Sequence, residues 1–220
     1  MPRITRRTYA TAAMVGAFGY AAVDVVLQAL PPHYSPISEA ESNLAVGPYG
    51  WIMNLNFLGR AVLTLCAVIA LSRCGPATTL RRIGLPLLLI GGLCSAVLAF
   101  FPTDIAPVGV TGLHASSVLG TVHLVVATTG FVLALCGFLL VTAWLRSSSG
   151  LRRAFIPALT CALLATAGLL SVALAAAFDL AGLGLAERVC LVGTLAWVCV
   201  VCGFIRRLPA DNAIAPNALH

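Results

Sequence analysis

Arg81-Arg-Ile-Gly-Leu-Pro-Leu-Leu-Leu-Ile-Gly-Gly-Leu-Cys-Ser-Ala-Val-Leu-Ala-Phe-Phe-Pro-Thr-Asp104 reads as one complete membrane crossing. Two arginines open it, an apolar run follows from Ile83 to Phe101, and Pro102 and Asp104 close it. At ~1.5 Å rise per residue, a helix of about 20 apolar residues matches the ~30 Å hydrocarbon layer of a bilayer. Pro102 just past the run stops the helix and favours an extended residue before it. Basic at one end and acidic at the other, this unit sets the pattern for the rest of the chain.

The composition is 60% hydrophobic and 9% charged, with a mean hydropathy of +1.01. A soluble domain is nearer half apolar and about a quarter charged, so that class is excluded. The formal net charge of +6 would suggest nucleic acid in a soluble protein. Here the arginines lie at the ends of apolar runs, so they report topology and no nucleic-acid partner is expected. The eight cysteines fall almost entirely inside apolar runs, where Cys behaves as a small hydrophobe. Cys199-Val-Val-Cys202 has redox spacing but no flanking polar group, so it carries no redox or metal assignment.

Outward from the opening stretch, the same pattern repeats. Span one is expected from about Tyr9 to Leu30, after Arg3, Arg6 and Arg7; it holds Asp24 and no clear cleavage site, and is read as retained. The loop 31–50 carries His33, Glu39 and Glu41 and no Lys or Arg, with Tyr34, Tyr49 and Trp51 as interface aromatics. Span two runs from about Trp51 to Leu71, span three from Ile83 to Phe101, and span four from His114 to Leu145. Span five runs from Ala154 to Phe178 and span six from Val189 to Phe204, with a turn from Asp179 to Arg188 broken by Gly182 and Gly184. Leu80-Arg-Arg-Ile-Gly-Leu-Pro86 resembles Leu151-Arg-Arg-Ala-Phe-Ile-Pro157. A duplicated hairpin would explain this, and so would a shared need for inner charges and a Pro near a helix start.

All the arginines except Arg60 and Arg188 fall in the N-terminus, the two basic turns and the tail. The other three connections hold Glu39, Glu41, Asp104, Asp179 and Glu187. The positive-inside rule then predicts an all-α six-transmembrane-helix bundle with both ends cytoplasmic, N-in and C-in. Residues 1–207 are expected to form the single transmembrane domain and 208–220 a short disordered cytoplasmic tail. The chain is thus expected to be a multi-pass protein of the cell membrane.

Ionisable groups inside spans are costly and mark function by default. Asn56, Arg60 and Thr64 share one face of span two at spacing four. Arg60 lies about nine residues, or ~14 Å, below the outer end, and Asp24 about six residues, or ~9 Å, below the outer end of span one. These depths let the two meet, either as an ion pair locking helices or as the floor of an outward-facing pocket. Ser116, Gly120, His123, Ala127 and Gly130 form a small-residue stripe on span four, which turns His123 toward protein. His114, nine residues earlier, falls on the opposite side of that helix. It could meet Asp104, His33, Glu39 or Glu41 at the surface. Asp104 could also accept hydrogen bonds from the free N–H groups that open span four. No tight metal-ligand spacing occurs, so no metal is assigned and the cofactor is left unknown.

The order of features resembles the bacterial membrane family called domain of unknown function 998. The residues that carry the likeness are Ser38-Glu39, Trp51 with Asn54 and Asn56, Gly59, Phe101-Pro102-Thr103-Asp104 and His114. The resemblance implies a six-helix bundle and no particular activity. A more distant likeness is to membrane hydrolases that use Ser, Asp and three His for zinc. This chain lacks their closing His-x-x-x-His helix, since His220 lies in the tail.

Three functions fit these residues. One is binding or transport of a small molecule or lipid headgroup, in a pocket of Asp24, Glu39, Asn56, Arg60, Asp104, His114 and His123 among membrane lipids. Another is a membrane enzyme on a lipid or isoprenoid, with Asp104, His114 and His123 as candidate catalytic acid/base groups. The third is a structural or accessory subunit.

Overall fold

The computed structural model describes residues 4–31, 34–106, 113 and 115–209. Its helices are α1 (Arg6–Leu27), α2 (Gly50–Ser72), α3 (Thr79–Leu98), α4 (Val118–Leu145), α5 (Phe155–Ala177) and α6 (Leu183–Arg207). All six are long and apolar enough to cross a membrane. The chain is an all-α, six-helix, multi-pass membrane fold, as expected. The tail assigned from residue 208 onward lies outside the described residues beyond Pro209.

The helix ends follow local chemistry. Thr5 caps α1 by accepting from the Thr8 N–H, and Ser117 caps α4 by accepting from the Gly120 N–H. Span four therefore starts at Val118, four residues later than the apolar pattern suggests. The opposite correction applies to α6, which begins at Leu183. The chain reverses at Gly182, whose φ of 99° lies in the left-handed region that glycine enters freely. Glu187 and Arg188, expected in a turn, are thereby inside the first turns of a span.

Each helix packs on its neighbours in sequence, and α6 closes back on α1, giving a ring. In lipid no hydrophobic force drives helices together, so close approach depends on small residues. A Cβ on Gly168 would stand 2.3 Å from the Cys190 nitrogen, and one on Gly193 would stand 2.4 Å from the Ala165 nitrogen. These contacts bring α5 and α6 nearly into backbone contact. Gly84, Gly91 and Gly137 do the same between α3 and α4. The small-residue stripe on α4 is borne out at Gly120, His123 and Gly130, which are buried. By contrast, α4 touches α5 only lightly.

One face of the ring gathers the basic ends. Arg6 and Arg7 donate to the Pro209 and Leu208 carbonyls, Arg73 donates to the Ile4 carbonyl at 2.6 Å, and Arg81 donates to the Gly75 carbonyl at 3.0 Å. Arg206 and Arg207 occupy the last turn of α6, where the helix dipole favours cations. On that side Phe138 of α4 meets Trp197 of α6, ring centroids 4.6 Å apart, and the Trp197 indole donates to Thr142 Oγ1 at 2.8 Å. This pair ties α4 to α6 near the basic face.

Candidate functional site

Above the Phe138–Trp197 pair, the ring encloses a cavity of about 960 Å³. Its lining reaches from the acidic-side loops, at Glu41, Asp104 and Leu113, down to Phe138 and Val198. On α4 alone, His123 to Phe138 spans fifteen residues, or ~22 Å. The lower walls are apolar, with Leu88, Leu169 and Val198 among them. Thr128, Val132 and Ala173 line the cavity yet are exposed, because α4 and α5 stand apart there. The cavity thus opens sideways, toward where lipid would lie.

Arg60 projects into this space from α2. Its guanidinium lies 5.5 Å from the Tyr20 ring centroid and 5.4 Å from that of Phe131, faces that attract a cation. Tyr20, Glu41 and Cys190 act on it electrostatically.

The expected Asp24–Arg60 partnership is not what forms. Asp24 Oδ2 accepts from Gln28 Nε2 at 2.7 Å, one turn along α1, and the cation acting on Asp24 is Arg188. Asp24 Oδ1 is buried with no hydrogen-bond partner. The earlier start of α6 explains the difference: it places Arg188, which the sequence assigns to a turn, on a helix where it acts on Asp24. Asp24 and Asn56 do not line the cavity. Asn56 instead donates to the Tyr20 carbonyl at 3.2 Å, joining α2 to α1.

The loop after α1 folds inward. Glu41, expected as a solvated loop charge, is 2% exposed. Its Oε1 accepts from the Tyr20 hydroxyl at 2.8 Å, and its own N–H donates to Glu187 Oε2 at 2.7 Å. Burial and the neighbouring Glu187 and Asp24 carboxylates push the Glu41 carboxyl up to about 8, so it carries a proton at neutral pH. Arg188 clamps this loop by donating to the carbonyls of Pro36 at 3.0 Å, Glu39 at 3.3 Å and Gly184 at 3.1 Å, and to the Tyr34 hydroxyl. Gly184 permits the docking: a Cβ there would stand 2.2 Å from the Glu39 carbonyl oxygen. Tyr34, read as an interface aromatic, is part of this inward seal, and its hydroxyl donates to the Ala40 carbonyl at 3.1 Å. Glu39 lines the cavity rim, where its carboxylate accepts from the Ser35 N–H at 3.1 Å and from Asn43 at 3.3 Å.

Asp104 caps α4. Its Oδ2 accepts from the N–H groups of Ser116 and Ser117, both at 2.7 Å, and Oδ1 accepts from Ser117 Oγ at 2.8 Å. These hydrogen bonds, the Ser117 N–H foremost, hold its carboxyl below the usual carboxylate range. Gly120 leaves room for it, since a Cβ there would meet Oδ2 at 2.2 Å. Asp104 also borders the cavity mouth. His114 and His33 lie outside the described residues, so any pairing of His114 with Asp104 does too.

His123 is 3% exposed and lines the cavity. Its Nδ1 lies 2.6 Å from the Phe101 carbonyl oxygen, while Nε2 is buried without a partner.

The chain matches the family described as "Protein of unknown function (DUF998)" over residues 14–203. It belongs to that family. No curated protein and no solved structure matches it. For this DUF998 chain, the sequence signalled Arg60, Asp104 and His123 as site residues through their isolation among apolar neighbours. Tyr20, Glu187 and Arg188 were missed. Tyr20 carried a faint signal, four residues before Asp24 and therefore on the same face of α1. Among the described residues, no group of three or more His, Cys, Asp or Glu is arranged to hold a metal ion.

Proposed function

We propose that this DUF998 protein binds an amphiphilic small molecule or lipid within the cell membrane, polar group toward the acidic-side loops and tail in the apolar depth. The observation that carries the reading is the cavity itself. At about 960 Å³ it is at the upper end of small-molecule sites, and such sites are mostly apolar with a few placed polar groups. Arg60, His123, Glu41 and Glu187 are among the polar groups that line it, and the gap between α4 and α5 offers entry from the bilayer. The basic face is taken as cytoplasmic, both ends inside, on the charge sorting of the loops. An acid/base role for Asp104 is less favoured, because its carboxylate is occupied in capping α4.

The test is to purify the protein from membranes in mild detergent and identify co-purifying molecules by native mass spectrometry. A bound amphiphile should be present at close to one per chain. Ala173→Trp, which plugs the lateral gap from an exposed position, should deplete it. A cavity empty of any amphiphile under several detergents, with the variant indistinguishable from wild type, would refute the proposal.

A further inference from the structure

We infer that Glu41 is a proton-binding site that latches loop 34–49 across the acidic end of the cavity. With the proton the loop stays docked; without it the loop lifts from the helix ring and uncovers the cavity on that side. This goes beyond the amphiphile reading and holds whatever fills the cavity.

The loop is a wall of the cavity, which Ser38, Glu39, Glu41, Asn43 and Val46 all line. Its ties to the helices fall into two sets. One is indifferent to pH: Arg188 donates to the Pro36 and Glu39 carbonyls, and the Leu185 N–H donates to the Ile37 carbonyl at 3.0 Å. A guanidinium and an amide keep their hydrogens across the physiological range. The other set runs through Glu41. Its side chain accepts from the Tyr20 hydroxyl of α1 at 2.8 Å, and its N–H donates to Glu187 Oε2 of α6 at 2.7 Å. One residue thus fastens the loop to both helices that close the ring.

The surroundings of Glu41 decide what a charge on it would cost. The ionisable groups within electrostatic reach are Tyr20 and Asp24 of α1, Arg60 of α2, Glu187 and Cys190 of α6, and Tyr34 of its own loop. Asp24 and Glu187 oppose a negative charge on Glu41, and Arg60 favours one. Arg60, however, rests against the rings of Tyr20 and Phe131, and Arg188 acts on Asp24 and Glu187. Glu41 is 2% exposed, so an anion there has almost no water. A carboxylate buried beside other carboxyls is disfavoured on both counts. The neutral acid keeps the Tyr20 hydrogen bond and adds no charge to the cluster.

For an ionised Glu41 the way to water is outward, with its loop. There its ordinary value of 4.5 applies, against about 8 when docked. Between these values the docked loop holds one proton more than the released loop, so the released-to-docked ratio rises about tenfold per pH unit. Above about 8 the ratio levels off. Acid on that side keeps the cavity closed, and rising pH opens it.

The experiment is hydrogen–deuterium exchange on the unmodified full-length chain in phosphatidylcholine nanodiscs, from about pH 5 to about pH 9, corrected for intrinsic exchange rates. Amides of residues 35–46, Glu41 among them, should lose protection about tenfold per pH unit up to about pH 8 and change little above it. The stretch of α2 from Phe57 to Cys66 should stay protected throughout. Glu41→Gln is neutral at every pH and can still accept from the Tyr20 hydroxyl, so its loop should remain protected across the range. Loop protection that does not vary with pH in the wild type overturns the latch, and that measurement needs no variant. Loss of protection in the loop and in α2 together overturns a local opening. A Glu41→Gln loop that loses protection as the wild type does hands the proton to another group and overturns the assignment to Glu41. An empty cavity in native mass spectrometry, by contrast, sinks the amphiphile reading and leaves the pH dependence of the loop as expected here.

Discussion

The Tyr20 hydroxyl on α1 donates to Glu41 Oε1 at 2.8 Å, holding a loop carboxyl that is 2% exposed inside the helix ring. This contact makes the loop after α1 part of the core. Removing the hydroxyl leaves a buried oxygen without its donor, which costs about 1–3 kcal/mol. Tyr20→Phe should therefore lower stability by that amount in detergent melts, and Glu41→Gln, which keeps a neutral acceptor, should cost less at pH 7.

The same carboxyl predicts a pH dependence. Glu41 is raised from its ordinary value of 4.5 to about 8 in the folded protein. Between these values the folded state holds more protons than the unfolded state, so stability must fall as pH rises. The decline should begin near pH 4.5 and level off above about 8, where Glu41 is ionised in both states. Melting temperature against pH should show this slope in wild type and a flatter profile in Glu41→Gln. An identical slope in the variant would assign the effect to another group.

Arg188 clamps the loop through contacts that a single ammonium cannot reproduce. Arg188→Lys keeps the charge and loses the fork that reaches the Pro36, Glu39 and Gly184 carbonyls and the Tyr34 hydroxyl. In a cysteine-free background, a Ser38→Cys reporter should react with a membrane-impermeant maleimide several-fold faster once Arg188→Lys is added. Unchanged reactivity would mean that the loop is held without the clamp. With the same reporter and an Ala181→Cys companion, labelling from the outside only is expected if the basic face is cytoplasmic.

Asp104 as a cap gives an ordered series. Asp104→Ala loses every acceptor used by Ser116 and Ser117 and should lower the melting temperature; Asp104→Asn, with one acceptor oxygen left, should lower it less. Because its carboxyl lies below the ordinary range, the stabilisation it gives is present above its unfolded pKa and lost as pH falls through the lower folded value. Gly120→Ala should resemble Asp104→Ala, since the new Cβ displaces the carboxylate.

Close approach of α5 and α6 predicts that a larger residue at Gly168 separates them. Backbone at 2.3 Å from the added Cβ cannot move aside as a flexible side chain would. Gly168→Leu should cost about 1–3 kcal/mol or more in thermal unfolding, and Gly203→Ala, where nothing lies within 4 Å, serves as the neutral control.

The sequence by itself determined the six crossings, the segregation of arginines to one end and acids to the other, and the candidacy of Arg60, Asp104 and His123. Each of these is a local property. A hydrophobic run either is long enough to span lipid or is not, and a lone ionisable group in such a run stands out without knowledge of its neighbours. The Asp104 cap was legible for the same reason, since proline, loop and helix start are close in sequence. Only the tertiary structure decided who partners whom. Arg188 grips Tyr34 from 154 positions away, and Glu41 meets Glu187 from 146. No periodicity encodes such pairs, so Asp24 was matched to Arg60 on depth alone. The lengthening of α6 toward Gly182 brought Arg188 to Asp24, and Arg60 lies instead against Tyr20 and Phe131. The cavity was equally invisible, because it is the space left beside the lightly packed α4 and α5, and a gap has no residues of its own.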